Sequence, residues 1–317
     1  MSRSLTAIIV FLAIAFGGAW LLALPLWLSG DGLATWGGLG VSVLGVVIMW
    51  TPGVAALVAC LAVERPARGT RLAALGIASH VRIRRLVGYL ALGVVVPVAI
   101  ILVALPIGAA LGVYPADFAG LSGFRALLDA QLAAVGVGEL PVPIELLVAL
   151  QFVQILLGVG INLIPAFGEE LGWRGWLLPR LLRLGTVPAI LLSGVIWGLW
   201  HAPLILLGYN YPTAPGWLGL MSMVGMCVVV GGIFGWLRMR GGSVWPAAVA
   251  HAAFNAAAGF FLVFAQEGAV IDTTSATILG WSGWLVPLAL LIVLVATGGF
   301  RAAAPHRPRL APPSANE

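Results

Sequence analysis

Charge is scarce in this sequence, and lysine is absent from it. Only 9% of the 317 residues are charged, and the 16 Lys and Arg positions are all arginine. Ordinary soluble domains contain about 25% charged and about 45–50% apolar residues, whereas 61% of this chain is hydrophobic. A soluble fold of this length could not bury so much apolar surface. The composition therefore excludes an ordinary soluble protein and predicts an all-α polytopic membrane protein.

Cysteine is almost as scarce as charge. Cys60 and Cys227 both lie inside apolar runs, where a free cysteine behaves as a small hydrophobic residue. Cysteines so placed indicate neither a disulfide framework nor a cysteine-rich metal site. The first apolar run is too long for the hydrophobic part of a signal peptide, so we predict that it is a retained membrane span.

Long apolar runs make up most of the chain. A spanning helix needs roughly 20 mostly apolar residues. The sequence predicts eight spans, at residues 5–28, 38–63, 86–112, 143–166, 187–207, 217–237, 244–265 and 277–298. They form one transmembrane domain, residues 1–300, whose motif-bearing core covers about 143–266. Residues 114–140 are interpreted as a surface helix or loop, and residues 301–317 as a disordered cytoplasmic tail rich in Pro and Ala.

The arginines predict the orientation of these spans. With eight spans, both chain ends and the arginine-containing connections after spans two, four and six lie on one side of the membrane. Cytoplasmic connections carry the excess of basic residues in membrane proteins, so both termini are predicted to be cytoplasmic. The net charge of +5 is thereby explained without nucleic-acid binding. We expect an integral protein of a plasma membrane, and the composition favours a bacterial host.

A few ionisable side chains lie inside or beside the spans, and they fall in three short motifs. Ionisable groups are costly in a bilayer and mark candidate functional sites there. The candidate site residues are Glu169, Glu170, Arg174, His201, His251 and Asn255. Asn162 is interpreted as a polar contact between helices, and the abundant tryptophans, Trp173 and Trp197 among them, mostly as packing residues or interface anchors.

Helical spacing pairs some of these residues. Glu170 and Arg174 are four positions apart, so they share one helix face and can form an ion pair. This pair would keep Glu170 ionised and leave Glu169 as the better candidate for a general base. His251 and Asn255 are also four apart, so span seven presents an imidazole and an amide on one face.

Their depth in the membrane agrees with a common site. Glu169 precedes Arg180 by eleven residues, and His251 follows Arg240 by eleven residues. At the helical rise per residue, each lies roughly 16 Å from the arginine that marks the boundary. His201 lies about 20 Å into its own span by the same measure. We therefore expect the three side chains to converge in the cytoplasmic half or the middle of the bilayer.

Two carboxylates and two histidines that converge in a membrane suit the activation of water. A desolvated glutamate gains basicity and could take a proton from water. Histidine and the Asn255 amide could then stabilise the oxyanion of a tetrahedral intermediate. Alternatively, Glu169, His201 and His251 could ligate one divalent metal ion such as zinc. The H-E-x-x-H pattern of many zinc proteases does not occur in this sequence.

The three motifs resemble those of a known family. They are E-E-L-G-W-R-G at 169–175, W-G-L-W-H-A-P at 197–203 and H-A-A-F-N at 251–255. In type and order they are similar to the motifs of the CAAX-protease and bacteriocin-processing membrane proteins, also called the abortive-infection family. The resemblance covers roughly residues 165–256, and Trp197 stands where that family often has Phe.

The resemblance implies an eight-span intramembrane endopeptidase that acts on a membrane-associated protein or peptide. It implies that Glu169 and His201 activate the attacking water and that His251 and Asn255 stabilise the oxyanion. Glu170 and Arg174 would support the site. The family is commonly labelled a metalloprotease, and a metal-free glutamate mechanism is also argued for it. We expect the site to open towards the cytoplasm or laterally to lipid.

Two other classes of function are open at this point. A non-catalytic scaffold or regulator could keep the same fold, and a proton-coupled transporter could use the Glu and His residues as a relay. Paired broken helices in matching halves, which are typical of transporters, are not evident in the sequence. The sequence does not determine the substrate, the metal requirement or the oligomeric state.

Overall fold

The computed structural model describes residues 3–138 and 142–301. Apart from one isolated bridge between Ala116 and Ala265, the regular structure in this part of the chain is helical. The longer α-helices are α1 (Arg3–Leu28), α2 (Gly37–Ile48), α3 (Thr51–Val58), α4 (Ile83–Ala110), α5 (Ser122–Ala134), α6 (Ile144–Glu170), α7 (Thr186–Trp200), α8 (Gly216–Gly241), α9 (Trp245–Ala257) and α10 (Leu285–Ala296). The predicted all-α membrane fold is confirmed. The predicted disordered tail lies outside the described residues from 302 onwards.

Six continuous helical segments in the described ranges are long and apolar enough to cross a membrane. They are Arg3–Leu28, Gly32–Glu64, Ile83–Ala110, Ile144–Leu184, Gly216–Gly241 and Trp245–Phe264. The shorter apolar segments Thr186–Trp200 and Trp281–Ala296 occupy the places of predicted spans five and eight. Span five is shorter than predicted because α7 ends at Trp200 and a separate helical turn, Ala202–Ile205, follows with Pro203 near its start. Proline is tolerated in a first turn because its missing N–H is not needed there.

Hydrogen bonds between connections define one end of the bundle, which we call the arginine end. Arg183 donates to the hydroxyl of Ser4, Arg85 donates to the carbonyl of Arg240, and Arg240 donates to the carbonyl of Arg301. The start of α1 and Arg301, five residues after the end of α10, therefore lie at the same end. This agrees with an even number of crossings, and the cytoplasmic assignment of this end remains a prediction.

The other end of the bundle, which we call the distal end, is joined in the same way. The indole N–H of Trp27 donates to the carbonyl of Pro203 at 2.9 Å, and the hydroxyl of Thr273 donates to the carbonyl of Asn210 at 2.7 Å. Helix α5 also lies at this end, packed against the turn that follows α9. It is the surface helix that the semi-polar stretch predicts.

Helix α9 lies at the centre of the bundle, against α4, α6 and α8. Its buried face is made largely of alanine. Ala247, Ala248, Ala250, Ala252, Ala253 and Ala257 are fully buried. Small side chains let helix backbones approach closely in membranes, where packing replaces the hydrophobic effect as the force between helices. The seventh span is therefore held rigidly from three sides, and it carries His251.

Helices α7 and α8 approach through glycines. A Cβ atom at Gly198 would lie 2.5 Å from the Cα of Val224, and one at Gly194 would lie 2.5 Å from the Cα of Val228. A side chain larger than a hydrogen atom at either position would therefore push the two helices apart. Since α7 leads directly to His201, this contact fixes the position of that histidine.

Replacing Gly198 with alanine should therefore destabilise the protein by about 1–3 kcal/mol, the usual cost of overpacking a tight interface. Thermal unfolding of the detergent-solubilised protein would show a lower midpoint. Gly160→Ala is the matched control, because a Cβ there meets nothing within 4 Å. Equal midpoints for the two variants would contradict the close contact of α7 and α8.

Helix α6 continues past Glu170 without interruption. Residues Leu171–Leu177 adopt π-helical geometry, and Leu178–Leu181 return to the α-helical form. Single π-turns inside α-helices are frequent at functional sites. On one side of this turn, a Cβ at Gly172 would lie 2.5 Å from the Cβ of Pro52. The start of α3 thus packs directly against the segment that bears the first motif.

Candidate active site

Glu169 is buried near the end of α6, with 2% of its surface exposed. Its Oε2 atom accepts a hydrogen bond from the indole N–H of Trp197 at 2.7 Å and one from Trp173 at 3.3 Å. Both tryptophans are buried as well. Because the two indole donors share Oε2, Oε1 is the oxygen that is available to a water molecule.

Glu170 has partners different from those of Glu169, and it contacts Arg174 and His251. Its Oε1 accepts hydrogen bonds from Arg174 Nη1 at 2.7 Å and from His251 Nδ1 at 2.9 Å. The Glu170 and Arg174 side chains are 0% and 1% exposed. The ion pair predicted from their spacing is confirmed. The link from Glu170 to His251 is an additional contact, and it fixes the orientation of the imidazole.

Arg174 is held by aromatic rings as well as by charge. Its guanidinium carbon lies 4.1 Å from the centre of the Trp197 ring and 5.4 Å from that of Phe234. Arginine above the face of tryptophan is a favourable cation–π arrangement, worth about 2 kcal/mol or more when desolvated. Trp197 therefore contacts both the glutamate and the buried cation beside it.

His201 lies directly after α7, and the hydrogen bond that it makes defines its tautomer. Its Nδ1 lies 2.9 Å from the carbonyl oxygen of Trp197. A carbonyl can only accept, so Nδ1 carries the proton and Nε2 of the neutral ring keeps its lone pair. An imidazole in this state can accept a hydrogen bond from water. Its geometry fits the role beside Glu169 that the resemblance implies.

One cavity brings the predicted residues together. Its volume is about 390 Å³, and its lining includes Glu169, His201, His251 and Asn255. Glu170 and Arg174 do not line it; they lie behind His251 and Trp197. The structure thus divides the six predicted residues into four that face the cavity and two that support them. Their catalytic roles remain predictions.

Some atoms of the predicted metal ligands already have other contacts. Among the residues that the structure describes, no three His, Cys, Asp or Glu side chains are grouped so that they could hold a metal ion. His251 Nδ1 contacts Glu170, His201 Nδ1 contacts a backbone carbonyl, and Glu169 Oε2 accepts from two indoles. These contacts do not use Nε2 of either histidine or Oε1 of Glu169, and metal-bound histidines usually donate their other N–H in this way. Glu169, His201 and His251 therefore stay a predicted ligand set, and the mechanism below includes no step through a metal.

Two features of the site were missed by sequence reasoning. Trp173 and Trp197 are packing residues as predicted, but their indole N–H groups also bind the candidate base. Asn162, interpreted as a contact between helices, donates to the carbonyl of Gly158 within its own helix and also lines the cavity. For the contact of Trp197 with Glu169, the sequence offered one signal, namely a Trp at a position that is often Phe in the family.

Glu64 was also overlooked. Its carboxylate accepts from Arg180 Nε at 2.7 Å and from the Trp176 indole at 3.2 Å. The pair joins the end of the second span to the segment after the π-turn. A lone acid at the edge of an arginine-rich connection was a sequence signal for this ion pair, and it lies near the arginine end, away from the cavity.

Comparisons with known proteins match the segment that bears this site. Residues 151–257 match the family model for type II CAAX prenyl endopeptidases, Rce1-like, and this range contains all three motifs. A curated relative, CAAX prenyl protease 2 of Methanococcus maripaludis, is 44% identical over 50 residues, which are 16% of this chain and 18% of the relative. The similarity thus spans less than a fifth of that relative's length. The resemblance predicted from the motifs is confirmed: residues 151–257, the segment that bears the site, are similar to the Rce1-like CAAX proteases.

Proposed function

We propose that this protein is an intramembrane endopeptidase that uses Glu169 to activate water. The observation that carries the proposal is the shared cavity of Glu169, His201, His251 and Asn255. A buried carboxylate, an imidazole with a free lone pair and further donors around one space are the groups that hydrolysis of an amide requires. The substrate would be a membrane-associated protein or peptide.

In the first step, Glu169 takes a proton from a water molecule in the cavity. His201 Nε2 accepts the second hydrogen bond of that water and orients its oxygen towards the peptide carbonyl. The oxygen adds to the carbonyl carbon and forms a tetrahedral intermediate. The proton on Glu169 then passes to the leaving nitrogen, and the C–N bond breaks to give a carboxylic acid and an amine; the acid then loses its proton to the amine.

His251 and Asn255 would stabilise the negative oxygen of the intermediate. The Asn255 amide can donate directly, and His251 can donate from Nε2 when both ring nitrogens carry protons. Glu170 then faces the charged ring at 2.9 Å and provides a compensating charge. Loss of one donor of this kind typically lowers kcat about 10²–10³-fold.

Substrate capture tests the proposal. We would compare the membrane proteomes of cells with the wild-type chain and with Glu169→Gln, and then digest the enriched protein with purified enzyme in H₂¹⁸O. Hydrolysis predicts one ¹⁸O in the new C-terminal carboxylate and no cleavage by the variant. Normal cellular function in Glu169→Gln would favour the scaffold alternative, and pH-driven flux in proteoliposomes would favour the transporter.

The metal-assisted alternative has its own measurement. Elemental analysis of the purified protein, with cleavage assayed before and after chelation, determines whether a divalent ion is needed. The metal-free mechanism predicts cleavage at an unchanged rate after chelation. Loss of cleavage that returns on addition of zinc would replace that mechanism.

Replacing Trp197 with phenylalanine should slow cleavage without unfolding the protein. A phenyl ring can still stack on Arg174, and the variant loses the five-membered ring of the indole with the N–H that binds Glu169. A hydrogen bond to a charged group is worth about 1.5–3 kcal/mol, so kcat should fall roughly tenfold to a hundredfold. Trp176→Phe is the control, since its N–H binds Glu64. Equal rates for the two variants would show that Trp197 does not position Glu169.

A further inference from the structure

The cavity has its mouth at the distal end of the bundle. Its lining includes Ser42 and Val46 on α2, and Tyr209 and Asn210 in the connection between α7 and α8. Val46 and Tyr209 are 44% and 39% exposed, so the cavity reaches the outside of the protein there. Asn210 also belongs to the hydrogen bond that helps to define the distal end.

The path from the site to the arginine end is closed. Every residue of Leu171–Leu177, the π-turn that follows Glu170, is buried. Beyond it, Arg238 donates to the carbonyl of Arg174 at 3.1 Å, and the ion pair of Arg180 with Glu64 joins the neighbouring segment. Packed tryptophans and paired charges therefore separate the site from this end.

The distribution of charge indicates that the two ends of the bundle lie on opposite sides of the membrane. The connections at the arginine end contain Arg65, Arg68, Arg71, Arg82, Arg84, Arg180, Arg183, Arg238 and Arg240. The connections at the distal end contain Asp31, Asp117, Asp129, Glu267 and Asp272, with Arg125 as their one arginine in the described ranges. Since arginine-rich connections stay in the cytoplasm, the distal end faces away from it.

We propose that the active site receives its substrate from the non-cytoplasmic half of the membrane. This inference rests on the endopeptidase function proposed above. The mouth combines the neutral polar groups of Ser42, Tyr209 and Asn210 with apolar Val46 and Leu279. It suits an extended, uncharged peptide segment at the outer membrane surface. The sequence had led us to expect an opening towards the cytoplasm or to lipid.

Cysteine accessibility tests the direction of the opening. Cys60 and Cys227 are 0% exposed, so the full native chain supplies an unreactive background. Gly45 lines the cavity and has free space around its Cα, which makes Gly45→Cys a tolerated probe. Gly160→Cys on α6 has similar free space but does not line the cavity. A charged, membrane-impermeant methanethiosulfonate reagent would be added to spheroplasts.

We expect complete modification of Gly45→Cys in intact spheroplasts and none of Gly160→Cys. Arg68→Cys, at the arginine end, should react only after lysis. Modification of Gly45→Cys only after lysis, or not at all, would overturn the proposal. The labelling requires no catalysis. A failed accessibility test therefore leaves the hydrolytic function standing, and a failed cleavage assay leaves the direction of the opening standing.

Discussion

Glu169→Gln is expected to abolish peptide-bond cleavage and leave the fold intact. Glutamine has nearly the same shape, and its amide oxygen can still accept the indole hydrogen bonds of Trp173 and Trp197. It cannot take a proton from water. General-base catalysis contributes about 10²–10⁴-fold, so kcat should fall by at least that order. The measurement is single-turnover cleavage of the captured substrate by purified protein, with thermal unfolding recorded alongside.

The control for this variant lies on the same helix. Glu145 is in the first turn of α6 and is exposed, so Glu145→Gln removes one carboxylate from the helix but none from the cavity. It should cleave at the wild-type rate. Wild-type cleavage by Glu169→Gln would show that another group activates the water, and we would then assign Glu169 to packing against the tryptophans.

Arg174→Met is expected to cause the largest loss of stability. Removing one member of a buried ion pair typically costs about 3–5 kcal/mol, because the remaining charge is left buried without a partner. Glu170 would keep only His251 at its Oε1 atom. The cation–π contact with Trp197 at 4.1 Å would also be lost. Denaturant unfolding in detergent, or the half-life in limited proteolysis, measures the change.

A double variant separates stability from function. Glu170→Gln combined with Arg174→Met removes both charges, and replacing a buried ion pair by uncharged groups is often close to neutral. Stability should therefore largely return. Cleavage should not, because His251 would lose the carboxylate that orients it. A single Arg174→Met variant as stable as the wild type would contradict the structural role of the pair.

Features that depend only on residues close together along one helix were predicted correctly from the sequence. Apolar length located all eight helical segments, and the spacing of four between Glu170 and Arg174 predicted their ion pair. Local geometry determines both, since residues four apart share a helix face in any α-helix. The same spacing distinguishes Glu169 from Glu170 without reference to any contact between helices.

Contacts between different helices could not be obtained in this way. Glu170 meets His251 across 81 positions, and Glu169 meets Trp197 across 28 positions. Spacing within a helix gives the face on which a residue lies but not the neighbour that the face meets. The direction in which the cavity opens could not be predicted either. It depends on which side of Glu169 is filled by tryptophan and leucine side chains from other helices.

The π-turn at Leu171–Leu177 changes the angular phase of the helix that bears the first motif. A regular α-helix advances by about 100° per residue, so widening one turn rotates everything downstream about the helix axis. Upstream, Glu169 is aligned with Trp197; downstream, Arg180 is aligned with Glu64. Deleting one residue within the turn would restore a regular helix and misalign one of these two partnerships. The π-turn thus lets one helix place Glu169 against Trp197 and Arg180 against Glu64. A helix of uniform repeat could not align both pairs.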